Sequence, residues 1–592
     1  MTLNPLEEAI ARTERVAVVG SPSSTASMQV DILGTAAEKQ LVGAFVFFKY
    51  IQEGRQHCGL GQISEVSLRN AWAEDATMKG LIRLKGQVDP VTGRQDVHTA
   101  KLSIGAIFSQ EGPNFVQGML GTVPSTGTPL HLVDDEFLSK LLAPYQNELV
   151  YLGRTYGSRT LLPMWFRHFG KESGGIGEAY HLGIFGKTGS GKSVLSKMVL
   201  LSYARHKSLS IIVIDPQGEF SKDVRSKGCL DIEFTKLGRS CESYGVGDIV
   251  LPGDEGLFKK ILISSKFLQK LGIYSEMNLE RAADAIVGEL MLVARGEVGG
   301  GQVLRWQSIS KAYENNRFDA IWLAFTDANF LGRIYTGTDY QARVLQARQS
   351  ADEDEFRGLW TKVARLFSNT GRGSYIIIPT MVKDITGNDE GKIIVVDLSK
   401  ESVPDYLFWN EDIQMEVLNR LFVDLTDAAE KQYRTGKLCN TLVLLDEAHR
   451  FAPRSVVTTE GEDNPLIPLR QTLVDSVKTT RKYGLGWMFI SQTMSGLDQE
   501  ILNQLRIYLI GFGLGWGNEY RSLRELIGGN DEAIRLYQSF RDPQSSIGER
   551  SFPFMIMGPS SPLSFSGSPL FINALKFTDE FESMNSRIFR RT

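Results

Sequence analysis

The sequence predicts an α/β protein, a doubly wound parallel sheet interrupted by a helical insertion and preceded by a small antiparallel barrel or sandwich. Three observations predict it. From residue 181 onward, four-residue apolar runs alternate with helical patterns, as in a parallel sheet covered on both faces. Residues 255–370 replace that alternation with helix-rich sequence. Residues 14 to about 150 carry short period-two strands separated by Gly, Ser, Pro and Asp turns. The 592 residues are 42% apolar and 23% charged. At ~150 residues per domain this suits several folded domains and excludes a disordered chain.

In chain order, the N-terminal strands are expected at Val16–Val19, Met28–Ile32, Val42–Phe48, Leu81–Leu84 and Leu102–Ala106, with a hairpin turn at Pro90–Gly93. Residues 1–150 therefore read as a docking or assembly module without catalytic spacing. Residues 151–180, with Gly153, Gly157 and the run Glu172-Ser-Gly-Gly-Ile-Gly-Glu178, read as a linker. The expected core spans 181–254 and 371–558. Its strands are Leu182–Phe185, Leu209–Ile214, Ile393–Val396, Leu442–Leu445, Trp487–Ile490 and Ile507–Phe512. Val194–Ala204 is a mostly apolar helix. Ile413–Leu425 is amphipathic, with apolar residues at 413, 417, 418, 421, 422 and 425. The 255–370 insertion includes the helix Leu279–Ala294. The tail 559–592 is rich in Ser and Pro, ends on Arg590-Arg591, and reads as a solvated or partner-docking extension.

Net charge is −4, from 65 basic and 69 acidic residues. A generally basic surface is excluded, so any nucleic-acid contact must use basic groups gathered on one inner surface. Cys58, Cys229, Cys241 and Cys439 form no C-x-x-C pair and have no histidines at zinc spacing, which suits reduced thiols in a cytoplasmic protein. No run of 18 apolar residues predicts a membrane span.

The chemistry is carried first by Gly186-Lys187-Thr188-Gly189-Ser190-Gly191-Lys192-Ser193, which fits G-x-x-x-x-G-K-[ST] between an apolar strand and a helix. Glycines let successive N–H groups turn toward a phosphate, and the helix N-terminus adds a favourable dipole. Lys192 is placed to neutralise β/γ oxygens, and the Ser193 hydroxyl to ligate Mg²⁺. The second signal is Thr441-Leu-Val-Leu-Leu-Asp446-Glu447-Ala-His449. Asp446 at the strand tip suits a metal held through its water shell, and Glu447 suits activation of the water attacking a γ-phosphate. Strand ends at Asp215, Asp397 and Ser491-Gln492-Thr493 point to the same crevice, with Gln492 placed to orient the water or sense the γ-phosphate. Arg481, in Arg481-Lys-Tyr-Gly484, reads either as a basic helix end or as an arginine finger reaching a neighbouring subunit.

Taken in order, HLGIFGKTGSGKS, IIVIDPQGEF, KIIVVDLS, LVLLDEAHRFAP, RKYG and MFISQT resemble the HerA family, hexameric DNA-translocating ATPases of the HerA–FtsK division of P-loop proteins. The resemblance covers roughly residues 150–560 by motif. It implies a RecA/FtsK-like P-loop core, an N-terminal HAS-barrel-like module, ATP and Mg²⁺ at subunit interfaces, and double-stranded DNA in the channel of a ring. By position it assigns nucleotide to Gly186–Ser193, Mg²⁺ to Ser193 and Asp446, hydrolysis to Glu447, sensing to Gln492, and a finger in trans to Arg481. Such ATPases work with a separate effector: the NurA nuclease, or in antiphage operons a sirtuin-like NADase or another nuclease. No nuclease constellation occurs here, so that chemistry would belong to another chain. DNA contacts would be phosphate-directed, with Lys222, Arg225, Arg450 and Arg454 as candidates. The alternative is an ATP-gated scaffold that assembles and activates an effector without translocating. A membrane-associated secretion or conjugation ATPase is a third reading, against which stands the lack of a membrane segment.

Overall fold

The computed structural model describes residues 5–589, apart from residues 26, 89–91, 113, 252–253, 299–314, 369–374, 388–389, 457–463, 546, 565–566 and 578–579. Strands β1 (Arg15–Val19), β2 (Met28–Ile32), β3 (Phe45–Gln52), β4 (Arg55–Arg69), β5 (Val97–Glu111), β6 (Asn114–Gln117) and β7 (Pro129–Leu132) form one antiparallel sheet. Its order is β2-β1-β7-β3-β4-β5-β6, and β2 also pairs with β5, closing six strands into a barrel. Strand alternation gives the barrel two apolar faces. Val46 and Phe48 fill its interior with Val16, Val30, Ile63 and Leu102. Phe45 and Phe47 point out and join the core of the second, larger sheet.

Two details of the barrel differ from expectation. The strand expected from Val42 begins at Phe45, because Gly43 turns the chain at φ 83. Leu81–Leu84, expected as a strand, lies in the helix Ala76–Lys85. There the Asp75 carboxylate accepts hydrogen bonds from the Thr77 and Met78 N–H groups, and the cap plus straight-chain residues outweigh a short apolar run. Residues 90 and 91 of the expected Pro90–Gly93 turn lie outside the described residues.

The second sheet is built from β8 (Val150–Thr155), β9 (Leu161–Met164), β10 (Leu182–Phe185), β11 (Ser210–Asp215), β12 (Cys241–Gly245), β15 (Ile393–Asp397), β16 (Thr441–Leu445), β17 (Leu485–Ser491), β18 (Ile507–Gly511), β19 (Pro553–Met557) and β20 (Leu570–Ala574), with β13 (Ile249–Val250) and β14 (Ile376–Ile377) forming a separate small pair. Its order is β12-β15-β11-β16-β17-β10-β18-β19-β20-β8-β9. The strands from β12 to β18 in that order are parallel, and β19, β20, β8 and β9 continue antiparallel. The sheet is therefore mixed where a purely parallel one was expected.

Two segments change role. Residues 151–180, expected as a linker, supply β9 and nearly all of β8. The tail, expected to be solvated, supplies β20 as β8's partner. Ser560 and Ser561 are buried: the Ser560 carbonyl accepts from the Trp165 N–H at 2.9 Å, and Ser561 Oγ donates to the Pro163 carbonyl at 2.6 Å. Asn585 accepts from the Tyr151 N–H and donates to its carbonyl. These pairings join positions some 400 residues apart, which no local pattern encodes. β12 went unread because Cys-Glu-Ser-Tyr-Gly is a polar edge strand.

Alternate strand residues feed two cores. Ile212, Ile214, Val443, Leu445, Trp487 and Phe489 face one side, where the helix Glu411–Arg434 and the helices between residues 255 and 364 pack. Ile211, Val213, Leu442, Leu444, Met488 and Ile490 face the helix Lys192–Ala204 and the outer wall of the barrel. The helix Glu411–Arg434 starts where Asn410 Oδ1 accepts from the Ile413 N–H. It extends past the apolar stripe read from sequence, with Lys431 and Arg434 favouring its last turn.

His181, just before β10, joins these layers. Its Nδ1 accepts from the Trp487 N–H at 3.2 Å and its Nε2 donates to the Val477 carbonyl at 2.9 Å. Protonating Nδ1 would set two donors against each other, and burial lowers this imidazole's pKa from 6.5 to about 4. The folded state thus disfavours the proton. This stability is fully present above the unfolded-state pKa near 6.5 and is lost as pH falls through that value toward about 4. The expected loss is about 3 kcal/mol. Denaturant unfolding across that window should show it, and His181→Gln, which cannot charge, should flatten the profile. Equal slopes in both proteins would remove His181 as the cause.

Candidate active site

The candidate site lies at the carboxyl ends of the parallel strands, where an open α/β sheet presents its loops. After β10 the chain turns through residues 186–191 into the helix Lys192–Ala204. Gly189 (φ 82) and Gly191 (φ 90, the helix N-cap) both take left-handed backbone. Lys192 is nearly buried, and its Nζ donates to the Lys187 carbonyl at 3.1 Å across the loop. Burial lowers its pKa, against the raising influence of Glu447, Asp446 and Glu219.

The acids come from neighbouring strands. Asp446 and Glu447 follow β16, and burial, then the charge of Glu447, pushes the Asp446 carboxyl up to about 7. The Glu447 N–H donates to Asp446 Oδ1 at 2.8 Å. Glu447 itself sits at φ 49, an uncommon left-handed conformation for a side-chain-bearing residue, at a cost of about 1–3 kcal/mol. That backbone turn aims its carboxylate between two partners. Gln492 Nε2 donates to Oε1 at 2.9 Å, and His449 Nδ1 lies 3.4 Å from Oε2. Gln492 Oε1 in turn accepts from Thr188 Oγ1 at 3.1 Å, so one amide links the phosphate loop to the acid. His449 Nδ1 also contacts Ser491 Oγ at 3.2 Å.

A cavity of about 390 Å³ brings these groups together. Thr188, Gly189, Gly191, Lys192, Ser193, Asp446, Glu447 and Gln492 line it, all of them singled out from the sequence. Glu219, His449 and the segment around Gln544, Arg550 and Phe552 were not. Glu219 Oε2 accepts from Ser193 Oγ at 2.8 Å, and its signal was its place in DPQGEF after β11. Pro543, Gln544, Arg550 and Phe552 belong to no motif and lie some 350 residues downstream of the loop they face.

Other expected residues are placed differently. Asp215 points into its own loop, accepting from the N–H groups of Gly218, Glu219 and Ser221 and from Ser221 Oγ. It builds the turn that presents Gln217 and Glu219. Asp397 Oδ2 is paired with Arg225 at 2.7 Å. Arg450 pairs with Glu411 at 3.5 Å, while Lys222 and Arg454 are exposed. Arg481 lies 3.6 Å from Glu178, just before β17, at the amino edge of the sheet. With ~3.3 Å per residue, β17 separates it from the loop by about 20 Å within one chain.

Among the described residues no group of three or more His, Cys, Asp and Glu side chains could hold a metal. The donor set fits Mg²⁺ nonetheless, because that ion is usually held by a hydroxyl or one or two carboxylates together with substrate phosphates. Ser193 and Asp446 would supply the protein's share.

Residues 179–238 match the family model described as the central domain of the helicase HerA. No curated protein matches the chain. Among solved structures, the fold is similar to VirB4 of Thermoanaerobacter pseudethanolicus, at 16% identity, covering 72% of this chain and 96% of that one with a TM-score of 0.38. It is also similar to the bacterial conjugative coupling protein TrwB, at 11% identity over 75% and 92% of the two chains with a TM-score of 0.35. The genome packaging NTPase B204 from Sulfolobus turreted icosahedral virus 2 gives 11% identity over 67% and 98%, with a TM-score of 0.28.

Proposed function

We propose that this chain, whose residues 179–238 match the central domain of the helicase HerA, is a P-loop ATPase that hydrolyses ATP at the subunit interfaces of a ring, most simply a hexamer. The turnover moves double-stranded DNA through the channel for a separate effector chain, in the cytoplasm. The observation that carries the reading is the Thr188–Gln492–Glu447 chain of hydrogen bonds, which ties the phosphate loop to an acid aimed into the same cavity.

In this reading the loop N–H groups and Lys192 hold the triphosphate, and Ser193 and Asp446 hold the metal. When bound, Mg²⁺ neutralises charge on the β/γ oxygens. Glu447 accepts the proton of the attacking water, and its fixed position removes the entropy of finding that water. His449, whose pKa is lowered by burial, lies 3.4 Å from the second carboxylate oxygen and contacts Ser491 Oγ at 3.2 Å. Gln492 leaves Thr188 when a γ-phosphate enters, which makes it a sensor. Among the described residues no helix is long and apolar enough to cross a membrane.

The DNA arm of the reading is tested by ATP turnover with and without double-stranded DNA. Stimulation that falls as salt rises is expected from phosphate contacts. Turnover indifferent to DNA would leave the ATP-gated scaffold. Arg481, about 20 Å from its own loop, acts only from a neighbour. Arg481→Ala should therefore abolish turnover while sparing nucleotide binding, and mixing it with Lys192→Ala subunits should restore part of the activity. A mixture as inactive as its parts would remove Arg481 from the site.

A further inference from the structure

The wall of the cavity opposite the acids is unexplained by the hydrolytic reading. The chain between the helix Asp531–Gln538 and β19, in which residue 546 lies outside the described residues, is fixed to the core at both ends. Tyr537 OH donates to the Gly511 carbonyl at 2.7 Å and accepts from the Leu514 N–H, while β19 pairs along β18 beside the phosphate loop. Between these anchors the segment lies directly on the loop glycines. A Cβ on Gly189 would fall 2.0 Å from Gln544 Nε2, and one on Gly191 2.8 Å from the Phe552 ring. Backbone angle favours glycine at both positions, and at Gly191 the Phe552 ring adds a steric reason, whereas the flexible Gln544 side chain could swing away from Gly189.

The segment offers two chemistries. The Phe552 ring is partly exposed beside Gly191 and lines the cavity with Val194, itself 36% exposed at the residue after Ser193. A flat aromatic face beside an aliphatic side chain suits a base or sugar, not a phosphate. Arg550 lines the same cavity with its guanidinium joined to no other described residue by ion pair or hydrogen bond. A guanidinium left open at an anion site suits phosphate oxygens.

We propose that Arg550 and Phe552 form a nucleoside clamp acting in cis: Phe552 packs on the base and ribose of the bound nucleotide, and Arg550 reaches its phosphates. The proposal rests on the nucleotide reading of the phosphate loop. It gives the site selectivity for a nucleotide over a bare polyphosphate, which the loop alone does not provide.

The test is calorimetric titration of the full-length protein with Mg-ATP and, separately, with Mg-tripolyphosphate. Phe552→Leu keeps apolar bulk against Gly191 but lacks the ring. It should weaken ATP about tenfold and leave tripolyphosphate within about twofold, and Phe552→Trp should restore ATP. Arg550→Ala should weaken both ligands about tenfold. Phe552→Leu weakening both ligands equally, or neither, would overturn the base contact. Arg550→Ala leaving both affinities unchanged would overturn the phosphate contact. A parent protein that binds neither ligand would instead overturn the nucleotide reading, and the clamp with it.

Discussion

Glu447→Gln should lower ATP turnover by about a hundredfold or more, the usual contribution of a positioned general base, while nucleotide affinity stays near that of the parent. The substitution keeps side-chain volume and leaves an amide oxygen able to accept from Gln492, so the contact that orients the residue survives. What it removes is the carboxylate that takes the water's proton. Loss of turnover with retained binding therefore isolates chemistry from architecture. Steady-state hydrolysis combined with nucleotide titration makes the measurement, and unchanged turnover would remove Glu447 from the reaction.

Lys192→Ala should weaken ATP binding by about a hundredfold, since truncating one partner of a desolvated charge contact costs 2 kcal/mol or more. Turnover should vanish with it. The fold should not suffer comparably. The ammonium makes one hydrogen bond, to the Lys187 carbonyl, and its burial already disfavours the charged form. Removing it relieves that desolvation but leaves Asp446, Glu447 and Glu219 without a nearby cation, and the two effects oppose each other. The melting temperature should stay close to the parent's. A variant that melts far lower would show that the lysine holds the loop together, and its binding loss would then say nothing about phosphate.

Much of the candidate site was legible because phosphate chemistry constrains residues that are adjacent in sequence. The Gly186–Ser193 loop is one short segment, and Asp446-Glu447 is one strand end, so spacing alone marks them. Gln492 was legible for the same reason, as the first polar residue past a buried strand. Glu219 and His449 sat inside recognised motifs without an assigned role, because a role requires knowing which oxygen faces which nitrogen. Gln544, Arg550 and Phe552 had no signal at all. Their contact with the loop depends on a chain reversal between β18 and β19, a long-range pairing that leaves no periodicity in the sequence.

The fold divides in the same way. Parallel strands buried on both faces write themselves as short apolar runs, so the strands β10, β11, β15, β16, β17 and β18 could be placed from composition. Edge and late strands could not. β12 is polar because one side lacks a neighbour, and β8, which pairs locally with β9, joins the sheet through β20 some 400 residues away. Local pattern made 151–180 a linker and 559–592 a tail, whereas tertiary pairing makes both part of the sheet.

By itself, then, the sequence determined a small antiparallel barrel or sandwich, a phosphate-binding α/β core with inserted helices, and the loop and acids that meet at its strand ends. Each of these follows from interactions within a few residues or from side-chain alternation along one strand. Only the tertiary structure decided that Glu447 accepts from Gln492 beside His449, that Arg481 stands at the far edge of the sheet, and that Gln544 and Phe552 lie on the loop. Those facts depend on which distant backbones share hydrogen bonds, and burial energy sets that choice over the whole chain at once.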